Sequence, residues 1–165
     1  MCVFAILGNI MFLSKLLMEF LPNIHLVGTL IVAYTLVYRT KALIPIYVYV
    51  FLTGLYGAFN WWWMPYLYIW TILWGAVMLL PKKISPKIGV VLYPVVACLH
   101  GFCYGILYAP AQAIMFKLNY QQMLLWIGAG FYFDLIHGIG NLVLGALILP
   151  LTKLLTKLSR QINII

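Results

Sequence analysis

Negative charge is nearly missing from this chain: of its 165 residues only Glu19 and Asp134 are acidic. Charged residues of both signs make up just 7%, and a soluble domain of this length needs several times that to cover its surface. That deficit excludes a water-exposed globular domain and leaves an integral membrane protein. Cysteine is also scarce. Cys2, Cys98 and Cys103 are odd in number and lie within or beside apolar runs, so they supply neither a disulfide framework nor a zinc spacing. Each reads as a small buried hydrophobe. Cys98, His100 and Cys103 do not share one helical face, so no metal is expected there. Catalytic signatures are missing as well. Without a Walker A sequence the chain does not hydrolyse ATP itself. It has no HExxH, no GxSxG and no serine set beside a histidine, so no enzyme activity and no cofactor is expected. It also lacks the two similar halves of an ordinary secondary transporter.

Apolar residues are abundant, at 66%. They form continuous runs rather than alternating ones, which predicts helices and not the strands of an outer-membrane barrel. The predicted architecture is all-α, a single membrane-embedded domain over residues 1–165 with six transmembrane helices. The predicted spans are Cys2 to Leu21, Ile24 to Tyr38, Ala42 to Phe59, Tyr66 to Leu80, Ile88 to Phe116 and Trp126 to Leu158. The first run has no small-residue cleavage site and reads as a retained helix, not a signal peptide. The fifth holds Pro94, Gly101, Gly105 and Pro110 and is expected to kink or break.

The net charge of +8 does not point to nucleic acid, because the basic residues punctuate the gaps between apolar runs. Arg39, Lys41, Lys82, Lys83, Lys87, Lys153, Lys157 and Arg160 all fall on one side of a six-span layout. The positive-inside rule makes that side the cytoplasm and puts both termini there. The opposite face then receives the segment Pro22 to His25, the cluster Asn60-Trp61-Trp62-Trp63-Met64-Pro65-Tyr66-Leu67-Tyr68, and the region Tyr108 to Trp126.

The last span carries the unusual chemistry. Asp134, His137 and Asn141 stand at i, i+3 and i+7, which stacks them on one helical face over two turns. A carboxylate, an imidazole and an amide on a membrane-length apolar helix are costly against lipid, so they should face the interior, a partner or a bound molecule. Tyr104, Tyr108 and Gln112 recur every four residues and make a second polar-aromatic stripe. Trp70 and Trp74 share a face of the fourth span. Lys15 and Glu19 are spaced to pair, and Glu19 is also a candidate ligand contact. Most of the tryptophan cluster fits an interfacial belt, with one or more rings free to wall a pocket. The candidate binding residues are therefore Glu19, His25, Trp61, Trp63, Tyr66, Trp70, Tyr104, Tyr108, Gln112, Trp126, Asp134, His137 and Asn141. Two other roles fit the same residues: a membrane-embedded enzyme using Asp134 and His137 as an acid–base pair, or a ligand-free scaffold in which they pair across helices.

Three stretches suggest a family. Gly28 to Gly57 holds a short second helix, a basic turn and a third helix ending in Gly54-Leu55-Tyr56-Gly57. Phe131-Tyr132-Phe133-Asp134-Leu135-Ile136-His137 is followed by Gly140-Asn141 and a leucine-rich end at Pro150. In layout and in these stretches the chain resembles the substrate-binding S-components of energy-coupling factor (ECF) vitamin transporters. The family's Ala-xxx-Ala pair on the first helix is not kept. Ala5-Ile6-Leu7-Gly8-Asn9 stands there, and the small residues Ala5, Gly8 and Asn9 are the candidate docking face. The resemblance implies a bacterial cell-membrane protein that captures a vitamin-like micronutrient from outside. It also implies as partners a membrane coupling subunit of the EcfT type and two cytoplasmic ATPases. Several Trp and Tyr rings with two acidic residues suit a flat nitrogen heterocycle, such as thiamine or its pyrimidine precursor, better than a polyanion.

Overall fold

The computed structural model describes residues 2–164, which are helical with no strand among them. Eight α-helices follow one another: α1 (Cys2–Leu17), α2 (Val27–Tyr38), α3 (Leu43–Tyr56), α4 (Tyr66–Leu79), α5 (Pro86–Phe102), α6 (Tyr104–Phe116), α7 (Tyr120–Leu144) and α8 (Ile148–Gln161). Three helical runs, Val27–Tyr56, Pro86–Phe116 and Tyr120–Gln161, are long and apolar enough to cross a membrane. Leu79, Ile114 and Phe20 lie almost fully exposed on the outside, a surface that fits lipid rather than water.

The first of those runs doubles back. Leu7 and Gly8 are neighbours on α1, yet the Leu7 carbonyl accepts from the Tyr34 hydroxyl and Gly8 packs directly on Val48 and the Pro45 carbonyl. A straight helix would hold residues 34 and 48 roughly 21 Å apart. The reversal falls at Arg39, whose φ of 52° is left-handed. Its guanidinium donates to the Met78 carbonyl, and its own carbonyl accepts from Trp74 Nε1.

The remaining contacts give each segment its direction. Phe4 meets Tyr38 and Phe12 meets Tyr56, so α1 runs against α2 and along α3. Tyr49 meets Trp70 while Arg39 reaches Met78, so α4 runs against α3. Gly105 packs on Asp134, Gly101 on Gly138, Ala97 on Asn141 and Pro94 on Gly145. Numbers rise on one side as they fall on the other, so α5 and α6 run against α7. Finally Tyr38 and Ser159 share a hydrogen bond of 2.7 Å, which brings the end of α8 to the level of Arg39. The described chain therefore makes six passes, alternately up and down, and its two ends lie together.

Packing follows from side-chain size. Lipid gives no hydrophobic drive for helix association, so close backbone approach must supply the contact. Gly101, Gly105, Gly138 and Gly145 form a seam where α5 and α6 meet α7, and an added Cβ at any of them would overlap its neighbour. Met11, Ile31, Ile46, Tyr49, Trp70, Leu73 and Ile148 fill the interior away from the seam.

Several predicted boundaries need correction. The first helix stops at Leu17, short of Leu21, and the third at Tyr56 rather than Phe59. The second begins at Val27, not Ile24. The fifth span is irregular at Cys103, while Pro94 and Pro110 stay inside their helices. The irregular residue follows Gly101 and Phe102, which both press on Gly138. The last span opens at Tyr120, well before Trp126, because Asn119 and Gln122 form a reciprocal capping box. It then passes through a 3-10 turn at Gly145–Leu147 into α8.

Candidate functional site

Asp134 is buried on α7, and both its carboxylate oxygens accept from the backbone N–H of Gly105, at 3.0 and 3.1 Å. That N–H lies in the first turn of α6, where the helix leaves its early donors unpaired. The glycine is required, because any side chain at 105 would overlap the carboxylate. His137, one turn further along α7, is only 3% exposed, and its Nε2 has no hydrogen-bond partner. Tyr104 lies against it with ring centroids 4.9 Å apart.

Beyond the Gly105–Asp134 contact α6 and α7 enclose a cavity of about 450 Å³. Tyr104, Tyr108, Gln112, Trp126, Asp134 and His137 all line it, joined by Gly130, Phe133 and the Pro22–Asn23 turn. Tyr108 and Trp126 stack at 5.7 Å and 20°, and the Tyr108 hydroxyl donates to the Trp62 carbonyl at 2.6 Å. No lysine or arginine lines this cavity. Its walls are flat rings, and its polar groups are a carboxylate, an imidazole, the two amides of Gln112 and Asn23 and the tyrosine hydroxyls. That set suits a small planar molecule with hydrogen-bonding groups on its edge.

A second, smaller cavity of about 180 Å³ shares Pro22 and Asn23 with the first. Lys15, Glu19, His25 and Tyr66 line it. Lys15 Nζ and Glu19 Oε1 are 3.9 Å apart, and Glu19 Oε2 accepts from the Tyr56 hydroxyl at 3.2 Å. His25 bridges the two cavities: its ring lies 5.0 Å from that of His137. It stands in the connection between α1 and α2, where burial, with Lys15 close by, pushes its pKa down to about 4.

The other candidate residues lie elsewhere. Trp70 is a core residue, 1% exposed, packed among His25, Tyr49, Tyr66, His100 and Tyr104. Trp61 is 65% exposed and touches neither cavity. Trp63 packs on Phe59 and donates Nε1 to the Val50 carbonyl. Asn141 shares the face of Asp134 but lies beyond the cavity, in the tight seam, where Gly28 and Gly101 crowd it and its Nδ2 donates to the Ala97 carbonyl. Of the proposed docking trio, Gly8 is turned inward against Val48 and is spent on packing α1 to α3. Ala5 and Asn9 are exposed, with Asn9 Nδ2 donating to the Ala5 carbonyl.

The sequence reading missed Gly105, Pro22, Asn23, Gly130 and Phe133. A signal for Gly105 was present, since Gly101 and Gly105 share a helical face with Tyr108 and Gln112. No local pattern marks Pro22 or Asn23 as cavity walls. No family model, no curated protein and no solved structure matches this chain.

Proposed function

We propose that this chain is the substrate-binding S-component of an ECF-type importer in a bacterial cell membrane. It captures a vitamin or related small aromatic heterocycle from outside. It delivers the cargo inward after docking on a membrane coupling subunit and two cytoplasmic ATPases. One observation carries this reading: a ring-walled cavity holding Asp134 and His137 opens at the end of the bundle opposite eight of the ten basic residues. The six alternating segments, with both described ends beside Arg39, support six membrane crossings and cytoplasmic termini.

The chemistry of the cavity supports binding rather than turnover. The Asp134 carboxylate is held by Gly105, and the lining includes no serine, threonine or cysteine nucleophile. Two orphaned buried polar atoms lie here: His137 Nε2 in the lining, and His25 Nδ1 in the adjoining cavity. A bound molecule with donors and acceptors on its edge would satisfy them, at a gain typical of buried hydrogen bonds. The coupling face on this reading is the exposed side of α1 with Ala5 and Asn9.

Native mass spectrometry of the detergent-purified chain, followed by tryptophan-fluorescence titration with vitamins and their precursors, tests the proposal. Trp126 in the cavity wall is expected to report binding by quenching. A co-purified small molecule, or saturable quenching by one compound that Trp126→Phe removes, is the expected result. A chain that carries nothing, responds to no compound and does not associate with ATPase subunits would refute it.

A further inference from the structure

We infer that the outward face of α8, carrying Lys153, Lys157 and Arg160, binds the headgroup of an anionic phospholipid at the basic end of the bundle. This rests on the membrane location and stands whether or not the chain is an importer subunit.

α8 differs from the other helices in presenting three distinct sides. Ile148 and Ser159 are buried and tie it to the core, Ser159 through Tyr38. Lys153, Lys157 and Arg160 follow at i, i+4 and i+7 and are exposed, so they form one stripe. Thr152, Thr156 and Gln161 complete the groove in which the stripe lies. The two threonine hydroxyls donate to carbonyls of their own helix at 2.7 Å, which leaves the three cations and the Gln161 amide as the groove's free polar groups. Those cations make no ion pair or hydrogen bond with another side chain among the described residues.

Among the described residues no acidic side chain lies near them. Glu19 lies beside Lys15 and Tyr56, and Asp134 is held by Gly105, both at the opposite end. A counter-charge carried by another molecule fits the stripe. The third side of α8 says what kind of molecule brings it. Leu154 and Leu158, 51% and 46% exposed, run beside the basic stripe at the same depth. A ligand touching both needs an anionic head joined to an apolar tail, which describes a phospholipid and not a soluble phosphate or an acidic peptide. The depth also fits. Ser159 is level with Tyr38, so Lys157 and Arg160 reach the end of the bundle beside Arg39. Lys153 lies one turn deeper and can extend its ammonium to that level along its apolar stem.

The test uses the full chain in nanodiscs of equimolar phosphatidylcholine and phosphatidylglycerol, with retained lipid read by native mass spectrometry. Wild type is expected to retain phosphatidylglycerol preferentially, less so at high salt. K153Q/K157Q/R160Q is expected to lower that preference by about 100-fold, from three cations acting near a charged headgroup. K153R/K157R should keep it. K82Q/K83Q/K87Q, which removes equal charge from the loop before α5, should keep it too. Equal retention of both lipids by wild type would overturn the inference and leave the stripe to a protein partner. So would an undiminished preference in the α8 triple variant, or an equal loss in the loop variant, which would mean diffuse surface charge and no site.

Discussion

The backbone N–H of Gly105 donates to both oxygens of the Asp134 carboxylate, so the most expensive group on α7 is held by the backbone of α6. The pair joins two helices and also sets one wall of the cavity. Two substitutions separate these roles. Gly105→Ala drives a methyl into the carboxylate and should cost about 1–3 kcal/mol, as overpacking does, read as a lower melting midpoint in detergent. Asp134→Asn keeps an acceptor for Gly105 and should melt near wild type while binding cargo more weakly. If Asp134→Asn melts as low as Gly105→Ala, the carboxylate is a structural group only.

Gly8 holds α1 against α3, so Gly8→Val should destabilise by roughly 1–3 kcal/mol. Asn9→Ala, on the exposed side of the same turn, should stay within about 0.5 kcal/mol of wild type. Thermal unfolding of the two variants side by side checks this. Equal melting midpoints would mean that Gly8 is free for an outside partner.

Tyr38 and Ser159 form a buried hydrogen bond between α2 and α8. Removing one hydroxyl strands the other, which costs about 1–3 kcal/mol. Tyr38→Phe and Ser159→Ala should each show that loss. The double variant should lose clearly less than the two together, a coupling that a double-mutant cycle measures. Additive losses would argue against the contact.

Trp70 and Trp61 should behave oppositely. Trp70→Ala empties the centre of the bundle and should cost about 3–5 kcal/mol. Trp61→Ala removes an exposed ring and should leave both melting and ligand quenching unchanged. A strong effect of Trp61→Ala on binding would make it a lid.

His25 gives a pH signature. Its pKa is held at about 4 in the fold, against an ordinary 6.5. As pH falls below 6.5 the unfolded chain takes up a proton on His25 and the folded chain does not, so stability is lost between 6.5 and about 4. Lys15 and Glu19 border the same cavity; Tyr66 and Trp70 from α4, His100 from α5 and His137 from α7 surround the ring or lie close to it. His100 and His137 are common to wild type and His25→Gln, so the difference between the two melting curves isolates His25. It should shrink as pH drops through that window. A difference that stays constant from neutral pH to 4 would contradict the burial of the ring.

Composition pointed to a membrane, because so few charged residues cannot cover a surface of this size, and the continuity of the apolar runs pointed to helices. Spacing alone put Asp134 and His137 on one face and Tyr104, Tyr108 and Gln112 on another, since helical periodicity is a local property. Only the tertiary structure decided which positions on those faces open into a cavity. Asn141 has the right spacing and lies beyond the cavity, because Gly28 and Gly101 let the helices close around it. Trp70 has the right chemistry and is core, because five rings, one from its own helix and four from other segments, enclose it. The small residues of the Ala5–Asn9 turn read as one docking face, yet Val48 occupies the space in front of Gly8. Pro22 and Asn23 carry no local mark of a binding role, and they line both cavities because the turn after α1 lies across the place where α6 and α7 part. Such positions depend on contacts between segments far apart in the chain, which no periodicity within one segment encodes.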